Sequence, residues 1–125
     1  NMFVFGLRTQ EVQRTRELGY DPRFYVEQNR QLQRVVAAIE AGDCSLGDTQ
    51  RYRALVHSLL GRDAYLLMAD FASYLATQAR VDALFVQPGA WAERALLNVA
   101  AMGEFSSDHT IAQYVDRVWS AAAVV

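Results

Sequence analysis

The chain has no lysine, and all twelve of its basic residues are arginine. A Schiff base with a carbonyl compound requires a primary amine that can lose its proton, and a guanidinium group cannot supply one near neutral pH. No side chain among the 125 residues can therefore hold an aldehyde cofactor or a carbonyl substrate covalently as an imine. This absence excludes one whole class of catalytic site.

Cysteine, net charge and long apolar runs are scarce as well. Cys44 is the single cysteine and cannot form a disulfide within the chain, which fits a reducing compartment. The net charge of -2, with both signs interspersed, argues against the basic surface that binds nucleic acid or an anionic membrane. The longest strongly apolar stretch, residues 64–69, is far shorter than a membrane span. We therefore expect a cytoplasmic protein without nucleic-acid or membrane partners.

The run Met-Phe-Val-Phe at residues 2–5 is apolar on both faces and ends at Gly6. Such a run is typical of a strand inside a parallel sheet that is covered on both sides. No second convincing strand follows in the sequence, and a lone strand cannot satisfy its own backbone hydrogen bonds. We therefore predict one N-terminal strand that either pairs with another chain or loses its order.

Helix-start and helix-stop residues divide the remainder of the chain into about six helices. Asp21, which precedes Pro22, and Asn29 are typical N-terminal caps, whereas Gly19 and Gly42 suit the left-handed residue that ends a helix. Further helix starts are predicted at Thr9, Asp70, Pro88 and Ser107. Because no internal repeat or long linker is present, residues 1–125 are predicted to form one mainly α domain with a single strand.

Apolar residues at helical spacing predict which helix faces are buried. On the helix that begins at Pro88, the residues expected to face inward are Trp91, Ala95, Leu96 and Val99. On the last helix, Ile111, Tyr114, Val115 and Val118 fall on one face. Aromatic side chains at such positions favour packing in a helical core over binding a sugar, and this group comprises Phe71, Tyr74, Phe85, Trp91 and Trp119.

Histidine and cysteine offer no catalytic or metal-binding pattern. His57 has no second histidine or acid at the i+4 position, and His109 lies on a different predicted helix. Cys44 follows Asp43, and a neighbouring carboxylate works against the thiolate that a nucleophile requires. We interpret these residues as surface or structural side chains.

Serine and acidic residues are equally dispersed. The run Ser-Ser-Asp-His at residues 106–109 contains the residue types of a hydrolase triad, but adjacent positions rarely provide the geometry for proton transfer, and helix capping explains Ser107 and Asp108. Three acids that could form a glycosidase pair lie on different turns, namely Asp63, Asp70 and Asp82. The sequence therefore predicts no catalytic, cofactor-binding or metal-binding residue in this chain.

Four segments of the chain resemble, in the same order and at similar separations, the α-glucan phosphorylases, the family of glycogen, starch and maltodextrin phosphorylases. They are Asn-Met-Phe-Val-Phe-Gly-Leu-Arg at 1–8, Met-Ala-Asp-Phe at 68–71 with Tyr74, Pro-Gly-Ala-Trp at 88–91, and Phe-Ser-Ser-Asp at 105–108 followed by Thr110, Ile111, Tyr114 and Trp119. The chain departs from the family at His109, where arginine is usual, at Gly89, and in the polar loop 42–48.

This resemblance implies a parent enzyme that is a hexosyltransferase dependent on pyridoxal phosphate. The implied reaction is phosphorolysis of terminal α-1,4 bonds of a glucan to glucose 1-phosphate, and the implied fold has two Rossmann-like domains. Residues 1–125 would form the C-terminal portion of the second, cofactor-side domain. The cofactor lysine and the phosphate-binding residues of the family lie upstream of the matched region. We therefore expect this piece alone to hold no cofactor and to be inactive.

Two functional hypotheses remain open from the sequence. In the first, the chain is a structural part of a phosphorylase, and its partner is the remainder of the enzyme. In the second, it is an independent helical protein-interaction module derived from this family. In either case, apolar faces without their neighbours drive association, so the isolated chain is expected to form a homo-oligomer.

Overall fold

The computed structural model describes residues 2–119, and every regular element in that range is helical. The α-helices are α1 (Thr9–Glu17), α2 (Pro22–Gln28), α3 (Arg30–Ala41), α4 (Arg53–Gly61), α5 (Leu67–Phe85), α6 (Pro88–Ala101) and α7 (Ser107–Tyr114). Short 3-10 turns occupy Asp43–Ser45 and Met102–Phe105, and a π-helical turn follows α7 at Val115–Trp119. The prediction of a mainly helical chain is confirmed.

The predicted N-terminal strand is wrong, because the structure contains no strand within residues 2–119. Residues 2–5 have the composition of a buried strand, but a strand exists only where a second strand takes up its backbone hydrogen bonds. Every regular element of the described chain is helical, so none offers a strand to pair with. Side-chain composition therefore indicated a conformation that the backbone cannot maintain alone.

The caps of α2 and α3 follow the sequence closely. The side chains of Asp21 and Asn29 accept hydrogen bonds of 2.9 to 3.1 Å from the first-turn amides of these helices, as predicted. Gly19 follows α1 and Gly42 ends α3, with φ of +87° and +84°. A Cβ atom on Gly42 would also lie 2.9 Å from the carbonyl carbon of Gly47, so both conformation and space require glycine there.

The cap of α7 lies one residue earlier than predicted. The hydroxyl of Ser106, not that of Ser107, accepts a hydrogen bond from the amide of His109 at 3.2 Å. The carbonyl of Ser106 also accepts a hydrogen bond from the hydroxyl of Thr110 at 3.1 Å. Two adjacent serines compete for one capping position, and Ser106 has the extended backbone that a cap requires.

The chain divides into two units. The N-terminal unit is Val4–Arg80, and the C-terminal unit joins Val81–Val125 with Asn1–Phe3, of which residues 81–119 and 2–3 are described. The N-terminal unit has a small core of buried apolar side chains that come from three helices. Its members are Leu32, Val36, Val56 and Met68, with Tyr25, Val26, Ile39, Leu59, Leu60 and Phe71 packed around them.

The C-terminal unit has no interior of its own, because none of its described residues is buried. On α6, Leu96 is 68% exposed and Val99 is 71% exposed, so their predicted inward positions are wrong for this chain. On α7, Ile111 and Tyr114 are exposed as well. These helices are amphipathic in sequence, but the described residues of the unit do not bury their apolar faces.

None of the helices in the described part of the chain is long and apolar enough to cross a bilayer.

Candidate interaction surface and anchoring contacts

The histidines and the cysteine lie apart, on three different elements. His57 is exposed on α4, and Cys44 is exposed in the 3-10 turn after α3. His109 is exposed on α7, where its Nε2 lies 2.6 Å from the side-chain nitrogen of Gln113 one turn later. Within residues 2–119, no three His, Cys, Asp or Glu side chains are grouped to hold a metal ion.

Asp63 is the one buried acid among the described residues and is only 3% exposed. Its Oδ1 accepts a hydrogen bond from the amide of Leu67 at 3.0 Å, and its Oδ2 accepts one from the amide of Met68 at 2.8 Å. The hydroxyl of Tyr20 donates to the same Oδ2 at 2.6 Å. Asp63 thus satisfies the first exposed amides of α5 and ties that helix to the segment that follows α1.

The phenol of Tyr20 is the hydrogen-bond donor in this contact. Burial, together with the hydrogen bond to Asp63, raises the pKa of Tyr20 far above its ordinary range. Close by in sequence, the guanidinium of Arg16 donates to the carbonyl of Ala64 at 2.8 Å. Both bonds join residues more than 40 positions apart in sequence, and the bond from Tyr20 gives Asp63 a structural role. The only sequence signal for the role of Asp63 was its position shortly before an apolar helix. No nearby residue identifies Tyr20 as its hydrogen-bond partner.

The prediction that Asp70 caps α5 is wrong, because Asp70 lies within the first turn of that helix. Its Oδ1 instead accepts a hydrogen bond from the amide of Leu7 at 2.7 Å. One turn later on α5, the hydroxyl of Ser73 accepts a hydrogen bond from the amide of Gly6 at 3.1 Å. Two side chains of α5 therefore anchor the backbone of residues 6–7, and we call these two bonds the N-terminal anchor.

Glycine is required at position 6 of the N-terminal anchor. Gly6 has a φ of +86°, and a Cβ atom there would lie 2.7 Å from Oδ2 of Asp70. The ring of Phe5 meets that of Tyr74 edge to face, with centroids 5.2 Å apart, which fixes the direction in which the chain enters the anchor. The close approach of the backbone to the carboxylate depends on the missing side chain.

We expect Gly6→Ala to destabilise the N-terminal unit by about 2 kcal/mol, because alanine disfavours the left-handed conformation and its methyl group displaces Asp70. Thermal unfolding followed by circular dichroism measures the loss, and hydrogen exchange at the Leu7 amide should accelerate. The matched control is Gly61→Ala, since a Cβ at Gly61 meets no atom within 4 Å and its φ is not left-handed. Equal melting temperatures for the two variants would contradict the claim that position 6 requires glycine.

The C-terminal unit presents its own apolar surfaces. One is a cavity of about 350 Å³ lined by Met2, Phe3, Leu84, Trp91, Arg94, Ala95 and Asn98. Inside it the guanidinium of Arg94 lies over the ring of Phe3, 5.7 Å from the centroid. A second surface, which we call the α6 surface, consists of the exposed side chains of Leu96, Leu97 and Val99. Neither surface carries a group of acids or bases suited to chemistry, and both are suited to packing.

The predicted aromatic core is only partly formed. Phe71 packs against the core of the N-terminal unit, as predicted. Phe85 and Trp91 instead pair with each other edge to face at 5.2 Å, and Trp119 pairs with Tyr114 at 5.7 Å. None of these four rings is buried, so they contact their neighbours without closing a core.

Comparison with known proteins gives the family. The carbohydrate phosphorylase family profile matches residues 1–121. A glycogen phosphorylase of Synechocystis sp. is 46% identical over 125 residues, covering 100% of this chain and 15% of that protein. One of Haemophilus influenzae is 40% identical over 124 residues, covering 99% and 15%, and the brain form of Bos taurus is 36% identical over 121 residues, covering 97% and 14%.

The chain thus spans about one seventh of the length of the relatives it matches, at 14–15% of each. The matched range, residues 1–121, includes residues of both units and all four segments that resemble the α-glucan phosphorylases. The chain belongs to the carbohydrate phosphorylase family.

Proposed function

We propose that this chain is a helical, non-catalytic part of a glucan phosphorylase, and that its exposed apolar surfaces pack against the remainder of that enzyme. The observation that carries the proposal is the C-terminal unit, which exposes large apolar side chains while none of its described residues is buried. Several large apolar side chains exposed on one unit are typical of an interface. In this reading the chain is the C-terminal portion of the second, cofactor-side domain, and the enzyme is cytoplasmic.

The reaction assigned to the whole enzyme in this proposal is phosphorolysis of terminal α-1,4-glucosidic bonds, which releases glucose 1-phosphate. Relatives that span this chain are named glycogen phosphorylases, which supports the assignment. The chain does not fit pyridoxal phosphate, the cofactor that the family implies, because it offers no lysine to hold the aldehyde. That group would be bound by the remainder of the enzyme, and this chain would position the surrounding helices.

A chimera tests the proposal. We expect the Synechocystis glycogen phosphorylase to keep phosphorolysis of glycogen when the region that matches this chain is replaced by residues 1–125. Placing two carboxylates on the α6 surface, by Leu96→Glu with Val99→Glu, should reduce the yield of active chimera at least about tenfold, because burying an unpaired charge costs several kcal/mol. The release of glucose 1-phosphate per milligram of soluble chimera measures the effect.

The matched control is Glu93→Gln, which changes an exposed polar residue of the same helix and should leave activity unchanged. An active chimera that tolerates both glutamates would refute packing through the α6 surface. An inactive chimera in which residues 1–125 are folded would favour the alternative, an independent helical interaction module.

The exposed surface has a further consequence for the isolated chain. Without the remainder of the enzyme, the α6 surface is free to meet a second copy, so we propose that the 125-residue chain forms homo-oligomers. Light scattering distinguishes this from the monomer expected of a module with a closed surface, and the double glutamate variant should shift the distribution toward monomer.

A further inference from the structure

A groove of about 830 Å³ opens on the N-terminal unit, beside helices α2, α3 and α4. It is lined by Arg23, Glu40, Thr49, Gln50, Arg53, Ala54, Val56, His57 and Leu60. Its volume is within the range of small-molecule sites. The groove plays no part in the packing proposed above, which concerns the C-terminal unit.

The charged side chains of the groove are mainly basic. Arg23 from α2 and Arg53 from α4 bring two guanidinium groups to it, His57 adds an imidazole one turn after Arg53, and Glu40 is the single acid. The side chain of Arg53 donates to the Oε1 of Gln50 at 3.2 Å, a neutral partner that leaves its charge uncompensated. Within the described residues, neither arginine has a carboxylate partner.

The floor of the groove is apolar. Ala54, Val56 and Leu60 contribute it, and Val56 belongs to the core and is only 7% exposed. Guanidinium groups bind phosphate with two parallel hydrogen bonds, whereas an apolar floor prefers a ring or an alkyl group. A ligand that satisfies both parts has an anionic head joined to an apolar body.

We propose that this groove binds a phosphate monoester whose body is a flat apolar or aromatic ring. Arg23 and Arg53 hold the dianionic phosphate, a ring N–H of His57 donates to it, and the ring of the ligand lies on Val56 and Leu60. A phosphate dianion is favoured over a single carboxylate, because its three terminal oxygens can accept hydrogen bonds from both guanidinium groups at once, whereas a carboxylate pairs with only one of them in bidentate fashion.

The test uses phenyl phosphate as the probe and the complete 125-residue chain. Line broadening of the ligand resonances in ³¹P and ¹H NMR reports binding whatever the association state of the protein. We expect Arg53→Gln and Arg23→Gln each to weaken binding about tenfold, the effect of losing one charge-assisted bidentate contact. The matched control is Arg51→Gln, because Arg51 lies over the ring of Tyr52, 6.0 Å from its centroid, and does not line the groove.

Three results would overturn binding in this groove, and a fourth, with benzoate, would overturn the choice of a dianion. The first three are the absence of broadening with the unmodified chain, an equal loss of affinity with Arg51→Gln, and inorganic phosphate binding as tightly as phenyl phosphate, which would mean that the apolar floor is unused. Benzoate, which pairs the same ring with a single negative charge, should bind more weakly, and equal affinity would refute the preference for a dianion. Since Arg23 and Arg53 are exposed and belong to different helices, agreement between their variants excludes a folding defect as the cause.

Discussion

Replacing Asp63 with alanine should destabilise the N-terminal unit by about 3 to 5 kcal/mol, enough to leave much of it unfolded at 37 °C. The substitution removes an acceptor that is bonded to two amides of α5 and to the hydroxyl of Tyr20, and it leaves that hydroxyl without its partner. Asp63 also has a φ of +35°, a conformation that aspartate tolerates better than alanine does. Urea unfolding followed by circular dichroism at 222 nm measures the loss.

Tyr20→Phe is the control for the Asp63 prediction, because it removes one of the three hydrogen bonds and keeps the ring. It should cost about 1 to 2 kcal/mol at neutral pH. The raised pKa of Tyr20 adds a pH signature, because above the ordinary phenol pKa of about 10 the unfolded chain loses this proton while the folded chain retains it. Stability from this group is complete below pH 10 and declines as the pH rises further, and the phenylalanine variant should lack that decline. Parallel alkaline profiles for the two proteins would contradict the assigned contact.

Leu32→Ala should be about as damaging, lowering the free energy of unfolding by about 3 to 4 kcal/mol. Leu32 is 2% exposed and is the most completely buried side chain of the small core that it shares with Val36, Val56 and Met68. Replacing Leu32 with alanine leaves a cavity, and a core with so few buried side chains has few neighbours that could move to fill it. Thermal unfolding and urea midpoints, measured at constant protein concentration, give the change.

The control for Leu32 lies on the same helix. Val35→Ala removes a side chain that is 44% exposed, so it should cost less than about 1 kcal/mol while matching the helical context. If the two variants lost the same stability, the core would not be centred on Leu32. A loss for Leu32→Ala below about 1 kcal/mol would lead to the same conclusion.

Local chemistry made part of the fold predictable. The caps at Asp21 and Asn29 depend on bonds that reach no further than three residues, so the sequence alone is sufficient to identify them. Gly19 and Gly42 were equally predictable, because a left-handed backbone conformation at a helix end is a local requirement that glycine meets. Family membership was predictable for a related reason, since the four matching segments are contiguous runs.

Contacts over long separations could not be predicted in the same way. Asp70 has the features of a cap, but its carboxylate is taken by an amide 63 residues earlier in the chain. Asp63, which performs the capping, depends on Tyr20, 43 residues away. Residues 2–5 and the α6 surface have compositions suited to burial. Whether they are buried depends on a packing partner, and the spacing of residues in the sequence does not reveal one.

Cys44 and the absence of lysine together give the chain an unusual chemical selectivity. The thiol is exposed on the turn after α3, so a maleimide dye should attach at that single position. Reagents that acylate lysine find no side chain to modify, and amine-directed crosslinkers cannot join two copies through their side chains. One fluorophore can therefore report assembly of the chain with a partner while every arginine of the groove stays unmodified.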